Sequence, residues 1–222
     1  MATLVADSLV LARRNLMRIV RAPDLLTAFT VQPIMFVLLF VYVFGGAIAV
    51  PAAFDNYADF LIPGIVVQNM AFGGFATALG LSEDLKKGLI DRFRSLPMAP
   101  AAVLAGRTFA DIATNTLGLV ILVTVGLIVG FGFNNSIGEV LLGFLLIMLL
   151  GYAFSWVFAY IGLVASSPEA ANSFGFLAIF PLTFLSSAFV PPDTMPAALE
   201  AFAEVNPFTT VVDALRSLWQ GT

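Results

Sequence analysis

The sequence predicts an all-α, polytopic bundle of transmembrane helices, and three observations carry that prediction. Of its 222 residues 60% are hydrophobic and 11% charged, with a mean hydropathy of +0.99, whereas a soluble domain carries about 25% charged residues. The apolar residues are gathered into runs as long as a bilayer is thick, and a soluble chain of this length cannot bury several such runs separately. The few charges are segregated by position instead of being spread over a surface. The runs are also continuous, which sets aside a β-barrel built from alternating strands of roughly ten residues.

The elements follow in chain order. Residues 1–24 read as an interfacial helix: Arg14, Arg18 and Arg21 share one helical face and Leu9, Leu16 and Val20 another, before Pro23 redirects the chain. A solvated tail is the alternative, and it leaves the apolar face without a partner. The next apolar run is too long for a signal-peptide core and reads as a retained first span. Five spans are expected, at 25–50, 60–81, 108–133, 140–164 and 170–190, each able to cross about 30 Å of hydrocarbon at about 1.5 Å per residue.

Lys and Arg set the expected orientation. Arg13, Arg14, Arg18 and Arg21 precede the first span, and Lys86, Lys87, Arg92, Arg94 and Arg107 lie between the second and third, so both segments are assigned to the cytoplasm. Segments 51–59, 134–139 and 191–212 hold no Lys or Arg and are assigned outside. In the last of these Pro191, Pro192, Pro196 and Pro207 punctuate a moderately apolar stretch with Glu200 and Glu204, which reads as an external or re-entrant hairpin. A helix over 211–219 then aims back at the membrane, and a sixth span is expected after the end of the chain.

Composition also limits the chemistry. Without Cys or His there is no disulfide framework, no thiolate or imidazole metal site and no catalytic dyad that needs them. Neither of the two lysines stands in a Gly-rich loop, so the phosphate-cradling motif of P-loop ATPases is missing. Asp111 follows Arg107 by four residues and reads as half of an interfacial ion pair, with Asp59 and Glu139 at external ends. An intramembrane carboxylate relay thus has no candidate.

Uncharged polar residues do fall inside the spans: Gln32, Gln68, Asn69, Thr114, Asn115, Thr116, Asn172 and Ser173. They suit either a substrate path or interhelical hydrogen bonding. Phe29, Phe36, Phe40 and Phe184 add aromatic surface that suits a path or the lipid. Gln32, Phe36, Gln68, Asn69 and Phe184 are the candidate path residues. The small pair Gly126 and Gly130 reads as close helix packing.

The loop 83–100, EDLKKGLIDRFRSLPMAP, is the most informative soluble-facing stretch. Leu85, Leu89 and Phe93 recur every four residues, as on one apolar stripe of a short helix that two prolines stop. Around that stripe stand Glu83, Asp84, Lys87, Asp91 and Arg92. Such a helix can enter the groove of a cytoplasmic partner, the stripe supplying burial and the charges register, or lie on lipid headgroups.

Three stretches taken together resemble a known family: LARRNLMRIVRAPDLLTAFTVQPIMFVLLF near the N-terminus, the loop just described, and FPLTFLSSAFVPPDTMPAALEAFAEVNPFTTVVDALR with its Pro181, Ser186, Ser187, Phe189, Pro191, Pro196, Pro207 and Arg216. The chain resembles the ABC-2 type permeases, particularly the daunorubicin/doxorubicin-resistance branch of bacterial exporters. The resemblance covers nearly the whole chain, 1–222, as one permease domain. It implies six spans, a multi-pass subunit of the bacterial cytoplasmic membrane with its N-terminus inside, and outward movement of amphiphilic drugs, lipids or glycoconjugates. It implies a separate cytoplasmic P-loop ATPase that binds ATP and Mg, a second permease copy or paralogue, membrane lipids around the bundle, no nucleic acid, and no cofactor or enzyme activity in this chain. It also casts 13–21 as a connecting helix, 83–94 as a coupling helix and 191–210 as a re-entrant hairpin. An ion-coupled secondary transporter and a non-transporting membrane scaffold are the rival functions; the first wants a midplane ionisable group or inverted repeats.

Overall fold

The computed structural model describes residues 2–21, 23–48, 50–90 and 101–221, and among these all regular structure is helical. The elements are α1 (Ala2–Val20), α2 (Pro23–Leu38) with a π-helical continuation (Leu39–Phe44), α3 (Tyr57–Phe72), α4 (Phe75–Lys86), α5 (Ala101–Ile128), α6 (Ile137–Val164), α7 (Pro168–Phe184), a 3-10 turn (Pro192–Thr194), α8 (Ala197–Val205) and α9 (Pro207–Gln220).

Local sequence fixes most of the boundaries. Asn56 caps α3 by accepting from the Asp59 N–H, and Ser136 with Glu139 forms a reciprocal capping box on α6. Ser167 caps α7 with Pro168 at its first turn, and Asn206 with Pro207 does the same for α9. Gly221, at φ +79, closes α9 in the left-handed conformation that glycine adopts without strain.

Among the described residues three helical rods are long and apolar enough to cross a membrane: Tyr57–Lys86, which joins α3 and α4, then α5 and α6. The other two predicted spans are shorter than read. The run at 25–50 gives helix only to Phe44, because Gly45 and Gly46 follow, and the run at 170–190 gives α7, whose 17 residues end before Leu185.

The axis of the bundle is α3. Every one of its residues is buried except Asn69 and Phe72, as expected for a helix that is apolar all round. Leu61, Ile62, Val66, Val67 and Met70 meet Leu122 of α5, Ile147 and Phe158 of α6, and Leu215 and Trp219 of α9 in one core.

The helices at the two ends of the described chain pack on the bundle. α1 lies against α5 through Ser8, Leu11, Ala12 and Asn15, where Gly106 meets the Leu11 side chain and the Ser8 carbonyl, and Leu9, on the face expected to meet lipid, is 60% exposed. Small residues on both helices, not apolarity, select the buried stripe. α9 begins at Pro207, four residues before the predicted helix start, because Asn206 supplies the cap. It runs antiparallel to α6: Phe208 packs on Phe154 at 5.5 Å and Trp219 on Phe144 at 5.2 Å, with the indole N–H donating to the Val140 carbonyl at 3.3 Å.

Candidate functional site

The junction of α3 and α4 opens the bundle. Gly73 and Gly74 stand where any side chain would collide, the first with the Asn115 amide and the second with the Phe158 ring, so α5 and α6 approach closely there. Beside this junction lies a cavity of about 410 Å³, within the range of small-molecule sites.

All five candidate path residues line it: Gln32 and Phe36 from α2, Gln68 and Asn69 from α3, and Phe184 from α7. So do Thr114 and Asn115 of α5 and Asn172 of α7. Both residues that α3 leaves unburied, Asn69 and Phe72, face this space. Thr116 and Ser173 are instead exposed and donate to carbonyls on their own helices, Ile112 at 2.7 Å and Glu169 at 2.9 Å. The side chain of Phe29 lies outside the described residues.

Phe72, Phe75, Phe176 and Phe180 add four more rings to the lining, and sequence reasoning missed them. The signal for Phe176 and Phe180 was the four-residue spacing of 176, 180 and 184, which stacks rings along a helix face. The rings form a connected ladder. Phe180 stacks on Phe184 at 4.3 Å and on Phe176 at 4.8 Å, and Phe189 joins Phe184 at 5.0 Å to Phe40 at 4.8 Å. Among the described residues no charged side chain lines the cavity. Ring faces and carboxamides together match an amphiphile with an apolar body and a few hydrogen-bonding edges.

The described part of the loop, residues 83–90, differs from its reading. α4 ends at Lys86 and Gly88 adopts φ +66, so Leu85 and Leu89 do not share one continuous helix. Leu85 and Lys87 are exposed, Glu83 and Leu89 half-buried, and Lys87 pairs with Glu83 at 3.1 Å. Asp84 turns inward and is buried, paired with Arg14 of α1 at 3.0 Å and Arg107 of α5 at 3.9 Å, which removes it from the exposed set. Asp91, Arg92 and Phe93 lie outside the described residues.

Arg107 and Asp111 are likewise buried within the protein. Arg107 donates to the Ala76 carbonyl at 2.6 Å, while Asp111 accepts from the hydroxyls of Thr77 and Ser155. No local pattern announces contacts between residues so far apart in the chain.

At the opposite end Arg216, 4% exposed, lies over the Phe60 ring at 3.8 Å. It donates to the Phe60 carbonyl at 2.9 and 3.0 Å and to the Ser187 carbonyl at 2.7 Å, and pairs with Asp213 at 3.0 Å. The late motif therefore ties α9 to α3 and to the segment after α7.

The family model for the ABC-2 type transporter matches residues 7–219. The chain belongs to the ABC-2 type transporter family. It is 35% identical over 221 residues to the daunorubicin resistance ABC transporter permease protein DrrB1 of Streptomyces coeruleorubidus, across 100% of this chain and 77% of that protein. It is 28% identical over 117 residues to the doxorubicin resistance ABC transporter permease protein DrrB of Mycobacterium tuberculosis, across 52% of this chain and 40% of that one. A putative transport permease, ycf38 of Cyanophora paradoxa, is 23% identical over 97% of this chain and 74% of its own length. This ABC-2 chain is a multi-pass membrane permease subunit of an ABC exporter, and its family implies an ATPase partner and often a permease pair.

Proposed function

We propose that this permease moves amphiphilic molecules outward through the cavity between α2, α3, α5 and α7, across a bacterial cytoplasmic membrane. The observation that carries the reading is the lining: Phe36, Phe184 and four further rings interleaved with Gln32, Gln68 and Asn69, with no charge among them. The energy comes from ATP and Mg held by a separate P-loop ATPase, and a second permease copy or paralogue completes the path. α2, the α3–α4 rod, α5, α6 and α7 are the five spans, a sixth follows them, and α8 with α9 forms a re-entrant hairpin on the outer side. The N-terminus is cytoplasmic and α1 rests at the interface with lipid. Glu83, Leu85, Lys87, Leu89, Asp91, Arg92 and Phe93 form the contact with the ATPase.

The test uses daunorubicin, the compound in the name of one relative, as the fluorescent probe in inside-out vesicles that carry this chain and its ATPase. Loss of one ring contact removes about 0.5–1.5 kcal/mol, so Phe184→Ala raises the half-saturating concentration roughly two- to ten-fold while uptake stays ATP-dependent. Asn69→Leu, which takes away a hydrogen-bonding edge, shifts it in the same direction. Unchanged half-saturation in both variants places the path elsewhere.

A further inference from the structure

Ala76, Gly80 and Asp84 follow one another at four-residue spacing and so lie on one face of α4. The Arg107 guanidinium lies along that face. It donates to the Ala76 carbonyl at 2.6 Å and reaches Asp84 at 3.9 Å, and a side chain at Gly80 would strike it. One cation on α5 is thereby fastened to both ends of α4.

Each end of this fastening leads somewhere. Ala76 is part of the cavity wall, as are Thr114 and Asn115, two turns beyond Arg107 on the same helix. Asp111, one turn beyond it, holds Thr77 of α4 and Ser155 of α6. Asp84 stands four residues before Gly88, where the chain turns into the loop, and it also binds Arg14 of α1 at 3.0 Å. The side chains of Asp84 and Arg107 are 7% and 11% exposed, so water screens the pair weakly, and loss of one partner leaves a buried charge uncompensated.

We propose that Arg107, clasped between Asp84 and the Ala76 carbonyl, is the positioning residue through which movement of the loop after α4 reaches the cavity wall, and that Arg14 extends the same link to α1. The proposal rests on the ATP-driven reading above. A displaced loop pulls Asp84, and the guanidinium passes the pull to α5 and to the start of α4 together. A neutral amide at 84 keeps the shape of the side chain and loses the grip on both arginines.

The chain has no native cysteine, so spin labels at Val31 and Leu177, exposed positions on α2 and α7 next in sequence to the lining residues Gln32 and Phe176, report the separation of the two helices without background. The measurement is the distance between the labels in the permease–ATPase complex before and after ATP with vanadate. The unsubstituted pair shows an ATP-dependent change in distance. Asp84→Asn loses that change with the ATPase still copurifying, Asp84→Glu keeps it, and Arg14→Gln, whose parent side chain is 40% exposed, reduces it. A full change in both Asp84→Asn and Arg14→Gln overturns the proposal. Loss of the ATPase or of membrane abundance in both variants also overturns it, since the cluster is then only a clamp that holds the fold. No ATP-dependent change in the unsubstituted pair refutes the ATP-driven reading itself.

Discussion

α3 and α6 are both long apolar helices, yet they have opposite fates. In the rod that contains α3, 72% of the most apolar stretch is buried, against 22% in α6, although α6 is the more apolar. Within a membrane, lipid tails are as apolar as leucine, so apolarity alone does not draw a helix into the protein interior. What places α6 is a seam of mostly small residues at four-residue spacing: Gly143, Ile147, Gly151, Ser155 and Ala159, continued by Gly162. Its other faces, with Leu141, Leu145, Leu149 and Trp156, stay open. α3 has neighbours on every side and opens only at Asn69 and Phe72, toward the cavity.

The comparison breaks most severely if the seam of α6 is filled. A Cβ at Gly162 would stand 2.6 Å from the Ala78 carbonyl oxygen and 2.9 Å from its Cα, and backbone cannot move aside as a flexible side chain can. Gly162→Leu is expected to cost about 3 kcal/mol or more, at the upper end of overpacking effects. The check is an SDS titration in mixed micelles followed by tryptophan fluorescence. Of the two tryptophans, Trp219 is fully buried and Trp156 is 41% exposed, so a Trp156→Phe background leaves one reporter in the core.

A smaller effect is expected on the axis. Leu61 is fully buried on α3, and Leu61→Ala leaves a space that neighbours on every side fill poorly. In water such a change costs about 2–5 kcal/mol. In lipid the transfer part falls away and the lost packing remains, so about 1–3 kcal/mol is expected in the same titration.

The contrast also shows what the sequence could reveal. Helix type was legible because apolar runs in lipid must satisfy their own backbone, and the caps at Asn56, Ser136 and Asn206 obey local rules. Gln32, Phe36, Gln68, Asn69 and Phe184 were legible as candidates because polar or aromatic side chains inside a span need a reason to be there, and they do meet around one cavity. Asp84 was misread because its partners Arg14 and Arg107 are remote in sequence, and periodicity reports only neighbours on one helix. The break at Gly88 was hidden for a related reason. The four-residue spacing of Leu85 and Leu89 presumes a continuous helix, which a glycine at φ +66 ends.

The smallest expected effect sharpens the comparison most, because it separates lipid from protein as the neighbour of the open face of α6. Leu145 is 55% exposed there. If lipid covers it, the methyl groups removed by Leu145→Ala face hydrocarbon in the folded protein and in the membrane-inserted unfolded state alike, so the two states lose nearly the same contacts. Stability then stays within about 0.5 kcal/mol of the parent, as for surface substitutions elsewhere. A loss of about 1 kcal/mol or more in the isolated chain would mean that α6 packs its outer face on another helix. A loss confined to the assembled transporter would instead assign that face to a second subunit, since only a protein neighbour leaves an unfilled space when a leucine is cut back.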